Sequence, residues 1–235
     1  MMYQHSPLLQ CLFNHAVNTP DKIAFILDDN KVSYSELLSN SKKAATFLDK
    51  KGVMSGDRIV LSAHKDIDFF YLYFGAHILG AINVIVDASN NKEKLNYIEQ
   101  KTQPTYCFGY ISENFPSYTY GDINFDSAEE CQEDNPEGIT KDSIAEILFT
   151  TGTTAAPKGV CLSYSNIFCS ADNVNSFIKN SPEDVEILCL PICHSFGLGT
   201  IRCNIIKGAT MVLLGNFANV RQFFKAIEQY KGTSF

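Results

Sequence analysis

Short, nearly continuous apolar runs alternate along this chain with longer stretches in which apolar side chains recur every third or fourth position. Such runs make strands buried on both faces, and the longer stretches make the helices that cover them. Ser6-Pro7 opens a first helix, with proline where its missing N–H costs nothing, and Thr19-Pro20 stops it. The runs 23–27 and 31–34 flank Asp28-Asp29-Asn30 and read as a hairpin. Ser33 and Glu36 have capping-box spacing ahead of Leu37, Leu38, Ala44, Ala45 and Leu48, and Gly52 ends that helix. Strands follow over 58–63, 81–86 and 105–110, with helices from Asp66 to Gly80 and over 92–101. Beyond 142 the pattern predicts strands over 145–150, 160–163, 185–190 and 209–214. It also predicts a helix capped near Ser165, a turn and helix after 190, and a last helix over 219–230. Repeated strand–helix order of this kind predicts an α/β protein with mostly parallel β-sheets layered with helices.

The stretch 112–142 breaks the rhythm. It carries Asp126, Glu129, Glu130, Glu133, Asp134 and Glu137 among turn residues, and reads as a solvated surface excursion joining two lobes, 1–111 and 143–235. A chain of 235 residues has length enough for a real hydrophobic core. Its net charge of −7 disfavours a nonspecific grip on nucleic acid, which needs clustered Lys and Arg. The apolar region 187–214 is interrupted by His194, Arg202 and Lys207, short of the roughly 18 uncharged residues that span a bilayer. The first residues lack the basic and apolar regions of a signal peptide, so a soluble cytoplasmic protein is expected. None of the eight cysteines forms a Cys-x-x-Cys pair. They read as reduced core thiols, and the spacing expected of a zinc site is missing.

The strongest chemical signal is Thr150-Thr-Gly-Thr-Thr-Ala-Ala-Pro-Lys158-Gly, entered from the buried run Ile147-Leu-Phe. The hydroxyls of Thr150, Thr151, Thr153 and Thr154, with the free N–H groups of a turn, make a concave anion site. Gly152 lets the backbone come close, Lys158 adds a point charge suited to phosphate, and Pro157 stiffens the loop. A Walker A loop requires Gly before the lysine and Ser or Thr after it; here proline precedes Lys158 and glycine follows.

This segment closely resembles the signature of the adenylate-forming (AMP-binding) enzyme superfamily: acyl- and aryl-CoA synthetases, luciferases and peptide-synthetase adenylation domains. Val32-Ser-Tyr-Ser-Glu-Leu37, Gly52-Val-Met-Ser-Gly-Asp-Arg-Ile-Val60, Gly80-Ala-Ile-Asn-Val-Ile-Val-Asp87 and Leu190-Pro-Ile-Cys-His-Ser-Phe-Gly-Leu198 resemble further motifs of that family, in order. The resemblance implies an incomplete N-terminal domain of the acyl-CoA synthetase-like fold. It implies a carboxylic acid substrate that attacks the α-phosphate of ATP, giving an acyl-adenylate and pyrophosphate. A thiol of coenzyme A or a carrier protein then accepts the acyl group. By the same resemblance, Thr150, Thr151, Gly152, Thr153, Thr154 and Lys158 hold the β- and γ-phosphates, and Thr150 helps coordinate Mg²⁺. His194, Phe196 and Gly197 line the acyl pocket, with Lys158 and His194 as the catalytic pair. His5, His15, His64 and His77 lack such a context and read as structural.

Amino-acid-activating members usually carry Phe-Asp in the last of these motifs, whereas this chain has Phe196-Gly197 and no acid nearby. A fatty, aryl or other plain carboxylic acid is therefore expected. Two features depart from the family pattern. Ala155 stands where glycine is common, which costs about 1–2 kcal/mol if that position needs positive φ. The chain also lacks the family's Tyr-Gly-x-Thr-Glu element, the ribose-binding aspartate and the small C-terminal domain with its lysine. The expectation is a ligase fragment, inactive alone, with the alternative of a stand-alone nucleotide- or acyl-binding module or half of a split ligase completed by a partner.

Overall fold

In the computed structural model, which describes residues 2–125, 128–131, 135–150, 157–215 and 219–235, every α-helix but the one over Ser195–Lys207 begins where a side chain satisfies a free N–H group. Ser6 caps α1 (Pro7–Asn18) by accepting from the Leu9 N–H. The hairpin β1 (Ile23–Leu27) and β2 (Asn30–Ser33) leads into α2 (Tyr34–Lys50), where Ser33 and Glu36 form the expected capping box. After β3 (Arg58–Ala63), Asp66 caps α3 (Ile67–Leu79), and Gly80 closes it at φ 75°. Then come β4 (Ile82–Asp87), α4 (Lys92–Thr102), β5 (Tyr106–Phe108) and the short β6 (Ser117–Tyr118). The rest is β7 (Ile144–Phe149), β8 (Gly159–Ser163), α5 (Tyr164–Ile178), β9 (Val185–Leu188), α6 (Ser195–Lys207), β10 (Thr210–Leu213) and α7 (Val220–Tyr230). The cap of α5, expected near Ser165, is Ser163, and Asn166 completes its box.

The strands form two sheets, in the orders β2-β1-β10-β9 and β6-β5-β3-β4-β7-β8. Their pairings are parallel except in the hairpins β1–β2 and β7–β8. Alternation along the strands explains the layering. In β3 and β4, Ile59, Leu61 and Ile85 face the main core, while Val60, Val84 and Val86 pack with Ile98 of α4. In β10, Met211 and Leu213 face the main core, while Val212 packs with Phe223 and Ala226 of α7. Helices therefore lie between the sheets and on both outer faces.

Helix α3 is apolar nearly all round, as a helix between two sheets must be. It crosses α2 so closely that a Cβ on Gly75 would lie 2.9 Å from both Ser41 O and Ala45 N. Burial of this kind stabilises by about 1.5–3 kcal/mol per large apolar side chain, and Phe69, Phe70, Leu72 and Phe74 are all fully buried.

Two expectations need correction. Each sheet draws strands from both sides of 112–142, so 1–111 and 143–235 are interleaved, not separate lobes. The segment itself is only partly solvated: β6 pairs with β5, and Tyr120 and Phe125 are buried, with the Tyr120 hydroxyl donating to Ser62 O at 2.6 Å. Its apolar residues were masked by the acidic ones around them.

A buried polar cluster links three elements. Arg202 of α6 pairs with Glu146 of β7, and the Tyr73 hydroxyl of α3 donates to Glu146 at 2.5 Å. Arg202 Nε donates to the Tyr73 oxygen at 3.3 Å. His77 Nε2 lies 3.7 Å from Glu146, but it is no ion-pair partner, because burial and then the Arg202 charge push its pKa well below the usual 6.5. The unfolded chain takes up this proton near pH 6.5 and the folded protein does not. Stability from His77 is therefore fully present above pH 6.5 and lost as pH falls below it. Unfolding free energy measured by urea titration from pH 7 to 5 should fall by up to about 1.4 kcal/mol per pH unit from this group. His77→Leu should flatten that slope; an unchanged slope would mean His77 is protonated in the folded state.

Candidate functional site

Parallel strands deliver their C-terminal ends to one side of a sheet, where open α/β folds bind ligands. Here the ends of β3, β4, β5 and the segments after β9 and β10 border a cleft of about 610 Å³. Its lining includes His64, Lys65, Asp87, Tyr120, Ile192, Cys193 and Gly215. Lys65 spans the strand ends: its ammonium donates to Leu188 O at 2.9 Å and to Leu214 O. Burial pushes its pKa down to about 8.

Beside the cleft, β7 and β8 form an antiparallel hairpin whose mouth is closed by two residues. The Thr150 N–H donates to Lys158 O at 2.9 Å, and the Lys158 N–H donates to Thr150 Oγ1 at 3.2 Å. The Thr150 hydroxyl keeps its proton and a lone pair for a ligand. Both side chains are exposed, and the Tyr97 hydroxyl of α4 donates to Pro157 O at 3.2 Å, tying down the base of the loop. Thr151, Gly152, Thr153, Thr154 and Ala155 lie outside the described residues.

The turn from β9 into α6 lines the same cavity as the hairpin. Thr150, Cys193, His194 and Ser195 line one cavity of about 500 Å³ with Phe149, Val160 and Leu162. The structure thus brings His194 and Thr150 together, with Lys158 paired to Thr150 at the hairpin mouth. His194 is the N-cap residue of α6, and its carbonyl accepts from Leu198 N–H at 3.0 Å. Phe196 is exposed on the first turn of α6. Gly197 is not part of the cavity lining: it is buried where α6 passes the incoming chain, and a Cβ there would lie 2.2 Å from Pro191 O. Its smallness shapes the turn that presents His194.

Asp87, at the end of β4, adjoins this turn. Burial opposes its ionisation, but hydrogen bonds from the Ser89 N–H and hydroxyl and from the Cys193 thiol, with His194 nearby, hold the Asp87 carboxyl below its usual value. Burial and then Asp87 push the Cys193 thiol up to about 11. Asp87 and Cys193 lie within the family-like segments 80–87 and 190–198, and Lys65 within the polar run His64-Lys65-Asp66, but the sequence alone does not mark them as site residues, because the contacts that bring them to the cleft are tertiary. Of the histidines read as structural, His5 and His77 are buried and His15 bonds to Ile206 O at 3.2 Å. His64 departs from that reading, being exposed on the cleft wall. Cys161 and Cys169 are exposed, so not every thiol belongs to the core.

The fold and the site define an α/β protein whose polar groups gather at the C-terminal ends of parallel strands. The family described as AMP-binding enzyme matches residues 12–235, and the chain belongs to that family. A 2-succinylbenzoate–CoA ligase of Bacillus velezensis is 27% identical over 213 residues, covering 88% of this chain and 44% of the relative. The 4-coumarate–CoA ligase 1 of Petroselinum crispum is 27% identical over 263 residues, covering 98% and 47%. Among solved structures, the o-succinylbenzoate CoA synthetase of Bacillus subtilis in complex with its acyl-adenylate intermediate matches with a TM-score of 0.87 at 23% identity. That match covers 95% of this chain and 60% of the other. The chain spans about half the length of the curated relatives it matches. Among the described residues, no helix is long and apolar enough to cross a membrane.

Proposed function

We propose that this chain carries the ATP-phosphate loop and the carboxylate pocket of an ATP-dependent carboxylic acid–thiol ligase. The observation that carries the reading is the convergence of the Thr150–Lys158 hairpin mouth and the His194 turn on one cavity wall. An exposed hydroxyl and an exposed lysine on the two paired residues of one hairpin mouth suit a polyphosphate, and the fit extends to Mg²⁺, for which Thr150 offers a hard oxygen donor. ATP, when bound, supplies an activated α-phosphorus, which the substrate carboxylate attacks to give acyl-AMP and pyrophosphate. A thiol of coenzyme A or of a carrier protein then takes the acyl group and AMP leaves.

The chain's own residues position these groups and balance charge. Lys158 offsets negative charge on the departing pyrophosphate, and Thr150 to Thr154 hold its oxygens, which is where positioning and electrostatics carry such transfers. His194 meets the carboxylate end of the acid, and Phe196 shapes the pocket entrance. No acid adjoins Phe196-Gly197 in the sequence to pair with a substrate ammonium, and Asp87, which reaches this turn from β4, is already engaged by Ser89 and Cys193. Relatives named for 2-succinylbenzoate and 4-coumarate support an aryl or other plain carboxylic acid over an amino acid.

Titration of the chain with Mg·ATP, followed by amide and histidine ring NMR shifts, tests this reading. Shifts at Thr150, Lys158, Gly159 and His194 are expected. Shifts confined to the separate groove lined by Asp29, Lys225 and Gln229 would remove the assignment.

A further inference from the structure

Asp87 and the Cys193-His194 pair are more than 100 residues apart in sequence, yet a carboxylate oxygen, the Cys193 sulfur and a ring nitrogen of His194 all lie within 4.8 Å of one another. Two well-held segments bring them together. Asp87 ends β4, which pairs on both sides with β3 and β7 in the interior of its sheet. Cys193 and His194 occupy the turn whose course is set by the packing of Gly197 on Pro191 and by the Leu198 N–H bond to His194 O. Asp87 and Cys193 are half-buried, and His194 is exposed, so the imidazole has room to rotate.

We propose that Asp87, Cys193 and His194 form a zinc site of three protein ligands with the fourth position open to solvent. Zinc bonds of about 2.0–2.3 Å in a tetrahedron put neighbouring ligand atoms roughly 3.3–3.7 Å apart. The observed cluster closes to that spacing by side-chain movement of about 1 Å, within the reach of a His194 rotation. A thiolate, an imidazole and a carboxylate together select zinc over magnesium, which takes oxygen ligands and keeps its waters. This site is therefore distinct from the Mg²⁺ position assigned to Thr150. The spacing rule for zinc motifs missed it because the ligands converge through the fold and not along the chain.

The functional consequence rests on the reading of His194 given above. Zinc held there withdraws the imidazole from the carboxylate pocket, so submicromolar zinc acts as an inhibitor of ligand binding at that cavity. Zinc binding itself can be read without any substrate, so the two ideas fail separately.

The test titrates the full chain with Zn²⁺ against a chromophoric chelator and records the Co²⁺ spectrum. One high-affinity ion per chain is expected, with a thiolate-to-cobalt charge-transfer band and the intense visible bands of four-coordinate cobalt. Groups that only hydrogen-bond to a metal's ligands are worth about 10–100-fold in metal affinity, so losing a ligand itself through Cys193→Ser or Asp87→Asn should weaken zinc by at least about a hundredfold. Asp87→Asn keeps an acceptor for Ser89, and unfolding curves matching the parent would show that the fold survives. A Cys161→Ser/Cys169→Ser variant, lacking the exposed thiols, should bind as the parent does. Zinc affinity unchanged in Cys193→Ser, a six-coordinate cobalt spectrum without a thiolate band, or binding lost with Cys161 and Cys169 would each overturn the site.

Discussion

An Arg202→Met protein is expected to lose about 3–5 kcal/mol of stability, because it leaves the Glu146 carboxylate buried without its cation. Glu146 is fully buried and Arg202 nearly so. The Tyr73 hydroxyl still donates to Glu146, but a single neutral donor cannot replace the charge. The arrangement joins β7, which runs into Thr150, to α6, which follows His194, so both parts of the candidate site rest on it. Replacing all three partners, as Arg202→Met/Glu146→Leu/Tyr73→Phe, removes the desolvation cost with the attraction and should recover most of the loss. Urea unfolding of the single and triple variants measures both values. A single variant within about 1 kcal/mol of the parent would mean that the pair contributes as little as an exposed one.

Gly197→Ala should be the most damaging small substitution near the site. The added Cβ would meet Pro191 O at 2.2 Å and Pro191 C at 2.8 Å, both backbone atoms that no rotamer change can move. Overpacking against side chains costs about 1–3 kcal/mol, and a backbone clash of this depth belongs at or above the top of that range. The chain must open the turn, which displaces His194 from the wall it shares with Thr150. Gly199 lies two residues further along α6 with nothing within 4 Å of its Cβ position. Gly199→Ala should therefore be neutral or stabilise by up to about 1 kcal/mol through helix propensity. Thermal unfolding with the His194 ring signals checks the contrast; equal behaviour of the two variants would refute the close-packed turn.

Much of the scaffold was legible because the relevant forces are local. The Ser33–Glu36 box, the Ser6-Pro7 start, the hairpin around Asp28 and the limits of β3 all follow from capping and turn chemistry within a few residues. Periodicity identifies buried faces but not neighbours, so the two-sheet order and its interleaving of early and late strands were not readable. Tyr120 and Phe125 were hidden inside an acidic stretch whose average polarity outweighed two anchoring side chains. At the site, Thr150, Lys158 and His194 stood out through dense or unusual local patterns. Asp87, Cys193 and Lys65 act only through tertiary contacts, and the steric reason for Gly197 lies in a backbone approach that no local pattern records.

The Mg·ATP titration compared between the parent chain and Lys158→Ala tests the central claim most directly. A charge-assisted contact to phosphate is worth about 1.5–3 kcal/mol, so Lys158→Ala should weaken Mg·ATP by roughly 10–100-fold, with Thr150 and His194 shifts still present at saturation. An unchanged affinity, or loss of the fold without a change in nucleotide response, would contradict the assignment of this hairpin to the phosphates of ATP.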